Sequence, residues 1–354
     1  MHDGTREMSG IGAAAAPAAR TSILARLKKM DIQKSFLTFM FFGVIILFTI
    51  LNPRFASMAN VVNILRKMAE SMVIAVGMSF CLISGGVDLS VGKVGIMAGC
   101  LAGVIIVNLD GAMPEILIVA IAIASALASG AAVGVVNGLI ISRLRVLPFI
   151  ATMGTMTICY GIALLLTGGD TISALPSSFT VMGTGYILRG AFEGLKSVQG
   201  FPISALIMIV IVLLGQLILR KSEFGINIYA IGGNFKAAKL AGLRNERMLV
   251  MVYLISGLLS AMAGLMLTAR MISAQPGLWG GINLEVIAGC VIGGTSMRGG
   301  VGTIVGSLLG MLLMTCLSTG LNLAGINYDW QQLVTGSLVI LAVSLDMISR
   351  SKEV

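Results

Sequence analysis

The chain has 354 residues, of which 57% are hydrophobic and 11% charged, and its mean hydropathy is +0.99. Soluble domains carry about 25% charged residues, so this chain lacks the polar groups to cover a globular surface. It is predicted to be an integral membrane protein. Its single histidine, His2, excludes Ser/His/Asp and Cys/His catalytic triads and most zinc sites. We therefore predict no catalytic, cofactor-binding or metal site in the chain.

The membrane-spanning segments are read from apolar stretches, since about 17 to 25 helical residues cross a hydrocarbon core. Eight clear spans lie at residues 36–51, 61–83, 91–108, 116–141, 148–167, 203–219, 248–271 and 331–348. Glycines at positions 293, 294, 299 and 300 interrupt the stretch 284–317, which is predicted to form two helices, the first of them short. The predicted fold class is an all-α polytopic membrane bundle of about ten helices.

The ends of the chain are predicted to be cytoplasmic. Residues 1–35 form a polar and then basic leader, and no small-residue cleavage site follows the first span, so we interpret it as retained and disordered. With ten crossings, 18 Lys and Arg residues fall inside and 6 outside, which satisfies the positive-inside rule. This distribution explains the net charge of +9 without a nucleic-acid partner.

Five cysteines lie in apolar stretches without CxxC spacing, and we expect them to be small core residues. They are Cys81, Cys100, Cys159, Cys290 and Cys316.

Two connecting loops are longer than a turn requires, and long loops in compact proteins usually contact something. The outer loop covers residues 168–202 and the inner loop covers 220–247. The centre of the inner loop, 232–243, is predicted to form a short helix whose alanines offer a low-profile face to a partner's groove. The alternative is a solvated connector.

A glycine turn at residues 85–93 resembles a phosphate loop but fails its spacing. Five residues separate Gly86 from Gly92, and Val94 follows Lys93, whereas a Walker A loop needs four residues and then Gly-Lys-Ser/Thr. The chain is therefore not expected to hydrolyse ATP. Asp88 is predicted to stabilise the start of the helix near Ser90, in preference to a substrate or proton role. A second turn at 293–302 has a similar character and hints at an internal repeat.

Three glycine ladders with GxxxG spacing are predicted to be packing seams between helices and not a transport route. They are Gly95, Gly99 and Gly103; Gly130, Gly134 and Gly138; and Gly302, Gly306 and Gly310.

Charged residues within the spans are few, and we expect Arg66, Lys67, Glu70 and Glu285 to lie near the outer interface, where snorkelling lowers their cost. A proton- or sodium-coupled transporter more often places carboxylates at the midplane. This pattern favours an energy source outside the chain.

Four segments of the chain resemble the permease subunits of ABC sugar importers of the ribose, xylose, arabinose and galactofuranose branch. They are Gly85-Gly86-Val87-Asp88-Leu89-Ser90-Val91-Gly92; Val136-Asn137-Gly138 with 147–155; the loop 225–243; and Gly293-Gly294-Thr295-Ser296 through Gly302. The resemblance implies a permease domain at 36–350 in a bacterial inner membrane. It also implies three partners: a second permease copy, a periplasmic sugar-binding protein, and a cytoplasmic ATPase subunit that binds ATP and magnesium.

The resemblance also implies roles for two sets of residues. The residues implied to couple to the ATPase are Gly233, Asn234, Ala237, Ala238, Ala241 and Gly242. The residues implied to form structural or gating turns are Gly85, Gly86, Asp88, Ser90, Gly92, Gly293, Gly294, Gly299, Gly300 and Gly302. The wider importer pattern has Glu-Ala-Ala-x-x-x-Gly at the coupling position, and this chain has Lys236 in place of the acidic residue.

Other functions remain open at the level of sequence. The permease could carry another small polar solute, such as a nucleoside, a furanone-type signal or a branched-chain amino acid, because fold does not fix the ligand. An ion-coupled secondary carrier and a membrane scaffold are the alternatives from other classes. Aromatic residues make up 6% of the chain and show no evident stacking platform, so no residue is assigned to the lining of the pathway.

Overall fold

The computed structural model describes residues 32–188 and 200–351; almost all of the predicted leader lies outside these ranges, as do residues 189–199 of the predicted outer loop. Within them the chain forms thirteen α-helices. These are α1 Ile32–Leu51, α2 Met58–Ile83, α3 Val91–Asn108, α4 Glu115–Ser142, α5 Pro148–Thr167, α6 Ser177–Thr184, α7 Ile203–Lys221, α8 Glu223–Gly233, α9 Phe235–Leu240, α10 Asn245–Met271, α11 Ile282–Ile292, α12 Ile304–Leu323 and α13 Tyr328–Ser351.

A helix occupies each of the eight clear spans, and two helices occupy the stretch 284–317. Six of them, α3, α4, α5, α7, α10 and α12, are both long and apolar enough to cross a membrane. The predicted break in the stretch 284–317 is confirmed, and α11 has only 11 residues. At 1.5 Å per residue it is about 16 Å long, roughly half of a 30 Å hydrocarbon core.

The outer loop adds elements that the sequence did not predict. It contains α6, followed by the short strands β1 (Tyr186–Ile187) and β2 (Phe201–Pro202), which pair antiparallel. An isolated bridge joins Ile172 to Ala274. This loop is therefore folded onto the helices, and the main-chain amide of Arg270 lies directly against Gly183 of α6.

The bundle has two ends. At the α9 end, the turn after α2, the loop between α4 and α5, helix α9 and the start of α10 surround one cavity. At the opposite end, the side chain of Asn52, which directly follows α1, donates to the carbonyl of Leu323 at the end of α12 (2.9 Å). Helices α2 and α10 connect the two ends.

Helix α10 is the central helix, and glycines let its neighbours approach its backbone. Gly264 packs directly on the main chain of Gly95 in α3. Gly257 packs in the same way on Gly130 and Gly134 in α4, and Gly138 lies against Val250. Small residues that allow close backbone approach are typical of membrane helix interfaces. The α4 ladder is thus confirmed as a packing seam, and so are Gly95 and Gly99 of the α3 ladder, whereas Gly103 packs against Ile172 and Ala274, which lie outside the helices.

The third ladder is confirmed only in part. Gly306 and Gly310 of α12 pack against the main chains of Gly293 and Gly289. Gly302 lies before the start of α12, in the turn that precedes it, so it is not part of a helical seam. All five cysteines are free and buried, as expected of core residues.

The α3–α10 contact predicts a cost for adding a single methyl group. In Gly264→Ala the new Cβ overlaps the carbonyl oxygen of Gly95, and overpacking of this kind costs about 1–3 kcal/mol. We expect a lower midpoint of thermal unfolding for the purified protein in detergent. Gly43→Ala, which has no atom within 4 Å of the added Cβ, is the matched control. Equal melting temperatures for the two variants would contradict the packing assignment.

Candidate functional site

The α9 end is organised around the fully buried carboxylate of Asp88. Its Oδ1 accepts hydrogen bonds from the main-chain N–H of Ser90 (2.9 Å) and from the Ser90 hydroxyl (2.5 Å). Its Oδ2 accepts from the hydroxyl of Ser256 in α10 (2.7 Å). Asp88 therefore accepts the main-chain N–H of the residue that precedes α3, which is the contact expected of it, and the bond to Ser256 ties the start of α3 to the central helix.

The hydrogen-bond network extends from Asp88 into two further helices. The side chain of Asn137 in α4 donates to the Ser90 hydroxyl (3.0 Å), and Thr155 in α5 donates to Asn137 Oδ1 (2.8 Å). Burial raises the pKa of the Asp88 carboxyl above its ordinary value, while the hydrogen bonds from Ser90 and Ser256 act in the opposite direction. A satisfied buried network of this kind fixes the relative positions of α3, α4, α5 and α10.

The rest of the 85–92 turn is held by its neighbours. The N–H of Gly92 donates to Asn283 Oδ1 in α11 (3.0 Å), and the Asn283 amide donates to the carbonyl of Leu89 (2.6 Å). Gly86 lies against the hydroxyl of Tyr253. Sequence reasoning identified the turn but missed its partners, because they lie far away along the chain.

The two glycine turns have the same backbone geometry. After α2, Gly85 and Gly86 donate to the carbonyls of Leu82 and Cys81; after α11, Gly294 and Thr295 donate to Val291 and Cys290. Gly85 (φ 85°) and Gly294 (φ 95°) are both left-handed, which is the glycine-favouring conformation of this helix ending. The same geometry also ends α9 and α12, at Gly242 (φ 88°) and Gly325 (φ 74°), so it is a general helix ending in this chain and does not by itself indicate an internal repeat.

The two turns and the inner loop meet at a cluster of glycines, which we name the glycine junction: Gly85, Gly232, Gly233, Gly299 and Gly300. The N–H of Gly300 donates to the carbonyl of Ile83 at the end of α2 (2.8 Å). A Cβ at Gly232 would overlap that same carbonyl, and one at Gly299 would lie 2.9 Å from the Cα of Gly85. The predicted coupling segment is thus in main-chain contact with both predicted turns.

A side chain reinforces the glycine junction. The hydroxyl of Tyr229 in α8 donates to the carbonyl of Gly302 (2.6 Å). Burial raises the pKa of the Tyr229 phenol above its ordinary value, which is already well above neutral pH, so the group is a hydrogen-bond donor. Gly293, which directly follows α11, packs against the main chain of Gly306 in α12. Helix α8 is therefore fixed to the turn before α12.

The predicted short helix in the inner loop is α9. Asn234 caps it by accepting from the N–H of Ala237 (2.9 Å). Gly242 ends the following turn with φ 88°. Of the six residues implied to couple, Gly233, Asn234, Ala237, Ala241 and Gly242 are exposed. Ala238 is only 5% exposed, so it packs inward and does not belong to the free face of the helix.

Sequence reasoning missed the most exposed apolar residue of α9. Leu240 is 90% exposed and Phe235 is 47% exposed, and both belong to the same six-residue helix. Their proximity to the predicted coupling alanines could have indicated them. These two side chains offer apolar area that a partner could cover.

A cavity of about 770 Å³ lies beside α9. Five basic side chains line it, against one acidic side chain, Glu246. The basic ones are Arg145, Lys236, Lys239, Arg244 and Arg247. The lining also contains three buried polar atoms without a hydrogen-bond partner among the described residues: Ser142 Oγ, Asn245 Oδ1 and Tyr253 OH. This surface is suited to an acidic and polar partner.

One expectation about charged residues is wrong. Glu70 lies midway along α2 and is 2% exposed, and it does not snorkel to an interface. Arg270 of α10 binds it with two hydrogen bonds, of 2.5 Å and 3.0 Å. The sequence pattern could not show this ion pair, because its members are 200 residues apart. The charge of Glu70 is tolerated inside the bundle because it is paired with Arg270, and not because the side chain reaches the interface.

In the part of the chain that the structure describes, no three His, Cys, Asp or Glu residues are grouped so that they could hold a metal ion. The arrangement consists of a helical membrane bundle, a folded segment at one end with an exposed apolar and basic surface, and main-chain contacts that lead from this segment into the bundle. These are the features of a multi-pass membrane permease component.

Comparison with known proteins identifies the family. Residues 60–343 match the family of branched-chain amino acid transport system permease components. The chain is 40% identical to the ribose import permease protein RbsC of Bacillus subtilis (strain 168), over 86% of this chain and 90% of that protein. It is 35% identical to the galactose/methyl galactoside import permease protein MglC of Escherichia coli (strain K12), over 91% and 98% of the two chains.

The chain therefore belongs to this permease family, and within it to the sugar import permeases, as a multi-pass protein of the inner membrane. No solved structure matches the chain.

The Asp88 network predicts a large loss of stability when its acceptor is removed. Asp88→Ala leaves the buried hydroxyls of Ser90 and Ser256 without their acceptor, which costs about 1–3 kcal/mol for each unsatisfied group. We expect a clear fall in the thermal unfolding midpoint in detergent. Asp170→Ala, at an exposed carboxylate, should leave the midpoint unchanged. A stable Asp88→Ala protein would show that the network does not hold the helices together.

Proposed function

We propose that this chain is the membrane permease subunit of an ABC importer, in which two permease copies form the pathway for a monosaccharide. A periplasmic binding protein delivers the sugar, and a separate cytoplasmic ATPase subunit, which binds ATP and magnesium, drives the transport. The observation that carries the proposal is the similarity over nearly the whole chain to permeases whose names specify ribose and galactose import. A nucleoside, a furanone-type signal or a branched-chain amino acid is the alternative cargo.

The proposed topology has ten crossings, with the 1–35 leader and the C-terminus in the cytoplasm. The 18 to 6 distribution of basic residues supports it. It places the α9 end at the cytoplasmic face, and α6 with its two short strands at the periplasmic face. The permease domain then covers residues 36–350, with a coupling loop at 220–247 and a periplasmic loop at 168–202.

The proposed ATPase contact is the exposed face of α9. Leu240 and Phe235 supply apolar area, and Ala237 and Ala241 allow close approach. The basic lining of the adjacent cavity complements an acidic surface, and such complementarity accelerates association and fixes its register. Lys236 stands where the wider importer pattern has an acid, so the charge on this chain's side of the contact is positive.

The proposed transmission route is the glycine junction. Gly232 and Gly233 end α8 immediately before α9, and Gly232 contacts the end of α2 and the turn before α12. A displacement of α9 therefore acts on both transmembrane turns without an intervening side chain. ATP shifts the permease between two conformations only if the ATPase binds one of them more tightly.

The docking proposal predicts that a charge at Leu240 abolishes transport. Leu240→Asp puts a carboxylate into an apolar contact, and loss of a central interface residue costs at least about 2 kcal/mol. We expect ATP-driven sugar uptake and co-purification of the ATPase to be lost, with normal amounts of permease in the membrane because the residue is 90% exposed.

Leu240→Ile is the matched control, because it keeps the apolar volume and should transport as the parent does. Undiminished uptake by the Leu240→Asp variant would remove α9 from the ATPase contact.

A further inference from the structure

A second cavity, of about 250 Å³, lies in the half of the bundle opposite to α9. Its wall is formed by the first half of α2, the end of α10, the segment leading into α11 and the start of α13. It is smaller than the roughly 300–1,000 Å³ pockets that hold drug-sized ligands. The space is therefore suited to a small solute.

The charges in the wall of this cavity cancel. Four charged side chains line it, two of each sign: Lys67, Arg270, Glu70 and Glu285. Glu70 and Arg270 bind one another. A wall with no net charge gives neither an anion nor a cation an electrostatic advantage, so the cavity favours a solute that is neutral overall.

The same wall is rich in hydrogen-bonding groups. Lys67 donates to Ser318 (2.7 Å), which accounts for one of the three donors of its ammonium group. Glu285 Oε1 is buried and has no hydrogen-bond partner within the described ranges. A buried carboxylate oxygen without a donor costs free energy. The hydroxyl of a bound polyol would supply that donor.

Trp279 gives the cavity an aromatic surface, which the low aromatic content of the sequence did not indicate. It lines the cavity and packs against Gly95 of α3. Its backbone has φ 55°, a conformation that is uncommon for a bulky residue and costs of order 1–3 kcal/mol. Trp279 lines the same cavity as a carboxylate and an ammonium group, and an aromatic ring together with such groups suits the apolar C–H face and the hydroxyl edge of a sugar ring.

The cavity is closed towards the α9 end. Leu267 lines it, and Tyr253 lines the other cavity, about 21 Å away along α10 at 1.5 Å per residue. Between them Ala261, Ala263 and Leu265 are fully buried. The structure thus has a polar cavity in one half, and buried side chains of α10 lie between it and the other cavity.

We propose that this cavity is a binding site for a neutral monosaccharide within the permease, with Glu285 accepting from a sugar hydroxyl and Trp279 contacting the ring. The proposal rests on the proposed function, because it assigns the site at which that function's cargo is held. It goes further by naming the residues that recognise the cargo.

Tryptophan fluorescence tests the site without any partner protein. The chain has two tryptophans, Trp279 and Trp330, so Trp330→Phe leaves Trp279 as the sole reporter in the full-length permease in lipid nanodiscs. D-ribose, D-xylose, L-arabinose and D-galactose are titrated separately, with L-leucine as the alternative cargo. We expect at least one sugar to change the emission saturably. Adding Glu285→Gln should weaken that sugar's binding about tenfold, as expected for a lost hydrogen bond to a charged group.

Glu115→Gln is the matched control, because this exposed carboxylate hydrogen-bonds to Ser178 outside the cavity. It should leave the titration unchanged. No response to any of the four sugars, a response to L-leucine alone, or equal binding with and without Glu285→Gln would overturn the assignment.

Uptake by the complete importer separates this proposal from the proposed function. If the parent importer accumulates a sugar while Glu285→Gln and Trp279→Phe importers move as much of it per ATP hydrolysed, the site is wrong and the function stands. If the parent importer accumulates none of the four sugars, the proposed function fails, and the fluorescence titration still decides whether the cavity binds them.

Discussion

Direct backbone contact is the constraint on which this structure depends. At the α3–α10 seam and at the glycine junction, main chains touch where any side chain would force them apart. Lipid supplies no hydrophobic driving force between helices, so close van der Waals packing has to hold them together. Such close contact also restricts small relative movements of the helices, because packed interfaces shift between discrete arrangements and do not deform continuously. A seam that stabilises the bundle is therefore also able to transmit motion.

The packed bundle has a cavity in each of its two halves, and the two cavities differ in charge. One, beside α9, has a basic lining; the other, in the opposite half, has no net charge and includes a carboxylate oxygen without a partner. Helices α2 and α10 connect the two halves, and at the α9 end the Asp88 network fixes the start of α3 to α10. In the proposed importer, the surface beside α9 binds the ATPase subunit and the cavity in the opposite half binds the sugar.

The sequence predicted the elements well and their long-range contacts poorly. Apolar length located the helices, and clustered glycines located the break before α12, because both signals are local. The bonds from Asp88 to Ser256 and from Glu70 to Arg270 join residues 168 and 200 positions apart, and no local pattern encodes such pairs. The sequence of α9 also did not show which of its side chains face the bundle and which face away. Ala238 was therefore grouped with the exposed residues of α9, although it packs inward. Trp279 was overlooked because a low aromatic content says nothing about where one ring lies.

The most direct test of the account is the amount of sugar moved per ATP hydrolysed by the complete importer carrying Gly232→Ala. The added methyl overlaps the carbonyl of Ile83, so it should separate α8 from the end of α2 while leaving the exposed face of α9 in place. The account predicts continued ATP hydrolysis with a severalfold fall in sugar moved per ATP, and an unchanged ratio in Gly43→Ala. An unchanged ratio in Gly232→Ala would show that the motor's movement reaches the membrane helices by another route.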